Sequence, residues 1–334
     1  MSQPPQARPA THRHTLITSM RDEGPFILEW VAHHLVLGFD RIVIGSNDCR
    51  DGSDALLSAL ARQGVIEHLE NRVPPGEIPQ HAAYMAMRQE LDIDDTDWLM
   101  VLDADEFLNV QVGNHRVADL TDRAEQAGGR ADIISLHAMC FTAEPEINWQ
   151  PGRICPRFPW RLALAHSANR AMKSLTRAPG RFRQIHNHSV VGFKGNPGEL
   201  RILGGDGQLR RLKPDQPMWQ QLRNTPVRPE EFGLAWYNHY AVKTWDSFNL
   251  RRERGRGAVA MGEAENTRHT AEYFAQRNQP DQEERSILRH DAEVAARMAA
   301  ILALPGIAGA QAECESRYAA LAAPWRRKGP LGQG

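Results

Sequence analysis

The 334-residue sequence lacks the features that define several protein classes. It has no apolar run near the roughly 18 residues that a membrane-spanning helix needs, and residues 1–14 are polar, unlike a signal peptide. Its four cysteines are scattered without a Cys-x-x-Cys pair, which argues against a zinc knuckle or disulfide scaffold and fits a reducing compartment. The 40 basic and 41 acidic side chains nearly cancel, so no overall field favours nucleic acid. We expect a cytoplasmic protein without a transmembrane segment or a nucleic-acid partner, with peripheral membrane association left open.

Hydrophobic residues make up 41% of the chain, enough for a large core, and their pattern alternates between two periods. Strand-like runs at 15–19, 41–44, 65–69 and 98–102 are separated by helical patterns at 25–37, 54–63 and 80–91. Strands that alternate with helices predict an α/β fold with a doubly wound, mostly parallel sheet and flanking helices.

The most informative stretch is residues 98–107, where five large apolar residues are followed by Asp103, Asp105 and Glu106. The apolar run predicts a strand that is buried on both faces, and ligands bind at the carboxyl ends of such strands. On an extended backbone the two aspartates would point to one side, where hard oxygen ligands suit Mg²⁺ or Mn²⁺ carrying a diphosphate. The alternative is a buried strand that ends in solvated acids.

The pattern is looser after residue 110. Further strands are predicted at 133–136, 172–175 and 185–190, and residues 141–170 indicate a long loop-bearing region. Residues 195–231 contain several Gly and Pro and predict an irregular insertion. Beyond Trp245 the pattern becomes helical, with 281–302 the clearest amphipathic helix.

Several motifs, taken together and in order, resemble the family-2-like glycosyltransferases, especially the branch related to family 92. They are residues 18–34, 37–40, 47–54 and 103–108, with fainter similarity at 173–177 and 238–248. The resemblance implies a GT-A fold with a nucleotide-binding half at 14–110, an acceptor-side half at 111–250 and a metal-binding Asp-x-Asp. A helical C-terminal part is expected at 251–323, between a disordered tail at 1–13 and a frayed tail at 324–334.

The resemblance also implies a set of residues that bind the donor or the metal. Asp105 is expected to ligate the metal, and Asp103 to contact ribose, the metal or its bound water. His239 is the preferred third ligand; His186 and His188 are rivals, since two residues apart on a strand they would share a face. The residues implied to bind the nucleotide are Ser19, Arg21, Glu23, Asn47, Asp48, Asp51 and Asp103.

For catalysis, Lys173 or Arg177 would offset charge on the departing diphosphate. Inverting transfer needs a carboxylate base, for which Glu106, Glu144 and Glu146 are unranked candidates.

These observations predict a Mn²⁺- or Mg²⁺-dependent glycosyltransferase that moves a sugar from a nucleotide-diphosphate donor, with a UDP-sugar favoured, to a glycan or polysaccharide acceptor, with inversion. One alternative is a nucleotidyltransferase, although residues 20–25 lack the Gly-rich basic loop such enzymes need after the first strand. The other is a sugar-nucleotide-binding module without turnover.

Overall fold

A computed structural model describes residues 12–73, 76–126, 130–213, 215–255, 257, 259 and 269–326. The strands are β1 His12–Met20, β2 Arg41–Ser46, β3 Glu67–Glu70, β4 Thr96–Val101, β5 Glu106–Val110, β6 Ile133–Cys140, β7 Trp160–Arg161, β8 Met172–Arg177, β9 Phe182–Ile185, β10 Val190–Phe193, β11 Arg201–Gly204, β12 Leu209–Arg211, β13 Ala235–His239 and β14 Gln282–Glu283. The α-helices are α1 Gly24–Leu37, α2 Ser53–Arg62, α3 Pro79–Glu90, α4 Val117–Gln126, α5 Met218–Gln221, α6 Trp245–Arg254, α7 Ala271–Arg277, α8 Asp291–Leu302 and α9 Ile307–Ala322.

The central sheet has the strand order β12-β11-β6-β8-β4-β1-β2-β3, and β13 lies beside β6 and pairs with β5. Strands β1 to β4 are mutually parallel, whereas β8 runs antiparallel to both β4 and β6. The predicted α/β class, with a mostly parallel sheet and flanking helices, is confirmed.

The strands at the middle of the sheet are buried on both faces, as the apolar runs predict. Leu16 and Met100 face the larger core beneath α1 and α2, and their neighbours Ile17 and Leu99 face a second core beneath α3. Because side-chain direction alternates along a strand, each strand supplies both cores. The elements that carry the site are therefore fixed from two sides.

Two predicted elements are wrong in detail. The strand expected at 185–190 is a hairpin between β9 and β10, closed by the His186 N–H donating to the Ser189 carbonyl at 2.9 Å. His186 and His188 thus lie in a turn and do not share a strand face. The helix expected at 281–302 begins at Asp291, because Gln282 and Glu283 pair with β7 and residues 286–290 form a 3₁₀ turn.

The Asp-x-Asp segment also differs from the prediction. It is a turn between β4 and β5, in which the Glu106 N–H donates to the Asp103 carbonyl at 3.0 Å. The two aspartate side chains therefore point to different partners. Strand β5, which follows the turn, has no counterpart among the predicted strands.

The expected tails at 1–13 and 324–334 fall mainly on residues 1–11 and 327–334, which lie outside the described residues. Within the described part of the chain, no individual helix has both the length and the hydrophobicity to cross a membrane. One bent pair, 286–302 with 307–325, meets those two criteria only when both arms are counted together.

The buried histidines of α1 and β1 make stability sensitive to acid. Burial lowers the pKa of both His33 and His14 to about 4, and their rings bond to the Leu108 carbonyl at 2.8 Å and the Thr121 hydroxyl at 2.9 Å. Because each ring is neutral when folded and protonates more readily when unfolded, the stabilisation is complete above about pH 6.5 and decreases as the pH falls towards 4.

We expect each of these two histidines to account for a loss of roughly 3 kcal/mol in the free energy of unfolding between pH 6.5 and 4. Urea unfolding across this range measures the loss. His33→Asn should reduce the pH slope, whereas His12→Asn, outside the core, should leave it as in the wild type. An unchanged slope in His33→Asn contradicts the assignment.

Candidate active site

The candidate site lies at one edge of the sheet, where the carboxyl ends of β1, β2, β4 and β6 meet. Strand β13 is parallel to β6 and brings His239 to the same edge, opposite Glu106. Strand β8 is antiparallel to its neighbours and begins there, so Lys173 lies at this edge and Arg177 at the other end of the strand. The loops that follow β1 and β2 complete the surroundings.

Asp105 is the centre of a buried charge cluster. Its carboxylate is only 2% exposed and accepts a hydrogen bond from Arg251 Nη1 on α6. His239 Nε2 lies 3.6 Å from the same carboxylate oxygen, Oδ2. Burial alone would raise the pKa of Asp105, but Arg251 and then His239 hold it well below its ordinary value. The carboxylate is therefore ionised and already has two positive partners.

The three candidate histidines have different surroundings. Burial would lower the pKa of His239, but the Asp105 carboxylate raises it well above its ordinary value. His186 stacks on His81 with ring centroids 4.4 Å apart, and His188 Nδ1 lies 2.8 Å from the Met172 carbonyl oxygen. Of the three, His239 is the one whose ring lies within 4 Å of a carboxylate of the Asp-x-Asp turn.

Asp103 belongs to a second charge cluster, centred on Lys173. The Lys173 side chain is fully buried, with Nζ 3.2 Å from Asp103 Oδ2 and 2.8 Å from Glu106 Oε2. Glu106 also accepts a bond from the Asp103 N–H at 2.8 Å, and burial raises the pKa of Glu106 to about 7 although Lys173 opposes this. Gln80 Nε2 donates to Asp103 Oδ1 at 3.1 Å.

This arrangement bears on the predicted roles of Lys173 and Glu106. Both side chains lie beneath the Asp-x-Asp turn. Lys173 forms ion pairs with Glu106 and Asp103, and Glu106 also accepts from the Asp103 N–H. Arg177, the alternative to Lys173, packs over the Trp98 ring at 4.4 Å and donates to the Ala131 carbonyl at 2.9 Å, far from the turn. All three side chains are buried in this arrangement and do not reach a substrate at the surface of the site.

A small pocket opens between the loop after β1 and helix α6. Its lining includes Glu23, Lys243, Arg251, Arg254 and Tyr318. Lys243 Nζ lies 3.2 Å from a Glu23 carboxylate oxygen, and Arg254 donates to the other oxygen of that carboxylate. Burial would raise the pKa of Glu23, but Arg254 and Lys243 lower it. The pocket thus combines three cations with two carboxylates, that of Glu23 and that of Asp22, which pairs with Arg50.

The basic residues of this pocket were missed as site residues from sequence. The sequence signal for them was the run of charged residues at 251–254, which closely follows the stretch 238–248 that resembles the family. Helix α6 begins at Trp245, and the hydroxyl of the preceding residue, Thr244, accepts from the Ser247 N–H and caps the helix.

Some of the residues predicted to bind the nucleotide hold the fold together, whereas others are at least partly exposed and could contact a ligand. Asp51 is fully buried and accepts bonds from the Gly24 and Ser53 N–H groups at 2.7 and 2.9 Å, so it caps two helices. Asn47 donates to the exposed carboxylate of Asp48 at 3.1 Å.

Ser19 is half-buried near the end of β1, and Arg21 follows in the next loop. The buried Nε of Arg21 has no hydrogen-bond partner. A buried donor without a partner costs free energy, and a hydrogen bond to an anionic or polar group of a ligand would offset that cost.

The two other carboxylates proposed as the base lie in the loop after β6. Glu144 and Glu146 are both half-buried there, in the loop that leads from the carboxyl end of β6. The loop is tied to α6 by the Trp245 N–H, which donates to the Ile147 carbonyl at 2.9 Å, and by Asp246, which accepts from the Trp149 N–H at 2.8 Å. The loop and α6 are therefore one packed unit beside the site.

The metal that the resemblance implies suits the donors at this edge. Among the residues that the structure describes, no three His, Cys, Asp or Glu side chains are grouped so that they alone could hold a metal ion. Asp105 and His239 offer two adjacent donors, and both carboxylate and imidazole are suitable ligands for Mn²⁺. Mg²⁺-type ions commonly bind through one or two carboxylates together with substrate phosphates and water, which is the kind of site two protein donors allow.

Comparisons with known proteins agree with the sequence motifs. No protein-family model matches the chain. A protein of Ricinus communis described as a glycosyltransferase family 92 protein is 27% identical over 138 residues, which cover 40% of this chain and 23% of the relative. The chain thus spans about a quarter of the length of the curated relative that it matches. The resemblance to glycosyltransferases related to family 92 is confirmed by this match.

Similarity to solved structures is weak. The glucosyl-3-phosphoglycerate synthase of Mycobacterium tuberculosis, solved with Mn²⁺, UDP and glucosyl-3-phosphoglycerate, is 11% identical with a TM-score of 0.25, over 39% of this chain and 44% of that one. HddC from Yersinia pseudotuberculosis is 10% identical with a TM-score of 0.27, over 50% of this chain and 77% of that one. TM-scores this low support no conclusion about this site.

Proposed function

We propose that this chain is a metal-dependent glycosyltransferase that moves a sugar from a nucleotide-diphosphate donor, with a UDP-sugar favoured, to a glycan or polysaccharide acceptor with inversion. The observation that carries the proposal is the meeting of Asp105, His239 and three cations, one buried and two half-buried, at the carboxyl edge of the sheet. Ligands bind at this edge in open α/β sheets. The similarity to a family 92 glycosyltransferase supports the same reaction class.

The donor diphosphate would be held by the basic pocket. Lys243, Arg251 and Arg254 line it; Lys243 and Arg254 share the single carboxylate of Glu23, and Arg251 pairs with Asp105. Two cations on one carboxylate favour binding of a further anion, and guanidinium groups bind phosphate oxygens in a bidentate manner. The pocket adjoins the loop that carries Arg21, which leaves the second loop, with Asn47 and Asp48, for the nucleoside.

Asp105 and His239 would hold Mn²⁺ or Mg²⁺, with Asp103 beside them, and the bound ion would stabilise charge on the departing diphosphate. Asp103 would contact ribose or a water of the ion, in the orientation that Lys173 and Gln80 give it. His239 must be neutral to bind a metal, whereas Asp105 favours its protonated form; binding would therefore release a proton.

The base would be Glu144 or Glu146 rather than Glu106. A base must come within hydrogen-bond reach of the acceptor hydroxyl. Glu106 is 2% exposed and is held by Lys173 and the Asp103 N–H, whereas the loop of Glu144 and Glu146 lies beside the site and is partly open to solvent. Either glutamate would accept the hydroxyl proton as the new glycosidic bond forms and the diphosphate leaves.

The test is a panel of nucleoside diphosphates and sugar nucleotides, each with Mn²⁺, Mg²⁺ or EDTA, read by thermal denaturation. A ligand that binds only the native state stabilises it by about 2.7 kcal/mol at 100 times its dissociation constant, so a shift of several degrees is expected for the true donor. We expect a UDP-sugar and UDP to give the largest shifts and EDTA to remove most of each. The absence of a shift with every nucleotide contradicts the proposal, and binding without sugar transfer would indicate a binding module.

A further inference from the structure

Arg251 occupies an unusual position between two binding regions. Its Nη1 donates to Asp105 and also, at 3.1 Å, to the Ala241 carbonyl, while its side chain is part of the wall of the basic pocket. Lys243 and Arg254, the other two cations of that pocket, are paired with Glu23. Arg251 is therefore the pocket cation that neutralises the expected metal ligand.

Two positive partners cannot share Asp105 without a cost. A divalent ion on this carboxylate would lie close to the Arg251 guanidinium, and like charges at short distance in a partly buried site repel strongly. The guanidinium keeps its charge at any accessible pH, so the conflict cannot be relieved by loss of a proton. It can be relieved only if Arg251 leaves Asp105 for another anion.

The pocket supplies the place for that anion. A diphosphate bound by Lys243 and Arg254 would give Arg251, which lines the same pocket, a new anionic partner. Asp105 would then be free to hold the ion. Each ligand removes what opposes the other.

We infer that Arg251 is an exchangeable counter-charge that couples metal binding to diphosphate binding at this site. The inference rests on the proposed function and goes beyond it, because it states why metal alone binds weakly and which side chain is responsible. Coupling of this kind is reciprocal: the factor by which diphosphate strengthens metal binding equals the factor by which metal strengthens diphosphate binding.

The experiment titrates the full chain with Mn²⁺ alone, followed by electron paramagnetic resonance of the free ion, and repeats the titration with inorganic pyrophosphate or UDP present. In the wild type we expect weak Mn²⁺ binding that either anion strengthens by at least about tenfold, a coupling of about 1.4 kcal/mol. Arg251→Gln should bind Mn²⁺ alone at least tenfold more tightly than the wild type and should lose most of the coupling.

Two further variants serve as controls for Arg251→Gln. Arg254→Gln removes a cation of the same pocket that contacts Glu23 and not Asp105, so it should weaken pyrophosphate binding without strengthening Mn²⁺ binding alone. Arg251→Lys keeps the charge and should keep Mn²⁺ binding weak, which preserves the test if the glutamine variant is poorly folded.

The results separate the two proposals. Unchanged or weaker Mn²⁺ binding in Arg251→Gln, or equal strengthening in Arg254→Gln, overturns the role of Arg251. A wild type that binds Mn²⁺ and pyrophosphate cooperatively but no nucleoside diphosphate overturns the proposed function and leaves the exchange at Arg251 supported.

Discussion

Replacing Asp105 with asparagine should lower the rate of sugar transfer by about a thousandfold or more, since a metal's stabilisation of the leaving group is worth several kcal/mol and about 4 kcal/mol corresponds to that factor. Asparagine keeps the size of the side chain but removes the charge that Mn²⁺ or Mg²⁺ requires. The same variant should lose the EDTA-sensitive part of its affinity for UDP. Steady-state kinetics and calorimetric titration with and without Mn²⁺ measure both effects.

The variant also leaves Arg251 and His239 without their common anion, so some loss of stability is expected. Binding is therefore compared at a temperature at which circular dichroism shows the folded state. Asp97→Asn is the matched control, because Asp97 is exposed near the amino end of β4, at the opposite edge of the sheet. If Asp105→Asn keeps the metal-dependent affinity for UDP undiminished, the assignment of Asp105 as a metal ligand is contradicted.

The elements of the first half of the fold were predictable because local signals and tertiary packing agree. Pro25 begins α1 and Gly38 ends it with a backbone φ of 99°, which glycine adopts without strain. The apolar run before Asp103 is long enough to indicate a strand that is buried on both faces, and Leu99 and Met100 do face opposite cores. Where each residue's preference and the sheet demand the same conformation, sequence alone suffices.

The two errors have different causes, one a contact between distant segments and the other a local turn. Residues 282–283 carry a helical pattern but pair with β7, some 120 residues earlier along the chain, as in the register of Gln282 with Arg161. His186 and His188 flank Asn187, a common turn residue, and the turn is closed by a single backbone bond. At 282–283 the deciding partner lies far along the chain and is not visible in the periodicity, whereas at 186–189 a local turn interrupts a strand-like run.

The same limit applies to the candidate site. Asp103, Asp105 and His239 belong to motifs that sequence can identify, whereas Arg251 reaches Asp105 across 146 positions of the chain. Nothing local indicates which of several basic residues in α6 makes that contact, since Arg251, Arg252 and Arg254 follow one another within a single turn. The helix phase selects between them, and only the packed structure fixes that phase.

Lys173→Met should be the most destabilising single change beneath the site, with an expected loss of about 3–5 kcal/mol in the free energy of unfolding, because it leaves buried carboxylates without their counter-charge. Methionine fills nearly the same volume, so the loss reports charge rather than packing. Urea denaturation at neutral pH measures it.

The double variant Lys173→Met/Glu106→Gln decides what Lys173 does. If the lysine neutralises Glu106 and positions Asp103, removing the Glu106 charge should restore more than half of the lost stability, a coupling that a double-mutant cycle measures directly. Nucleotide affinity should then recover with the fold. If Lys173 instead offsets charge on the departing diphosphate, as the sequence motif implies, the refolded double variant would bind UDP as poorly as Lys173→Met alone. Additive losses of stability would show that the two side chains act independently, against the 2.8 Å contact that joins them.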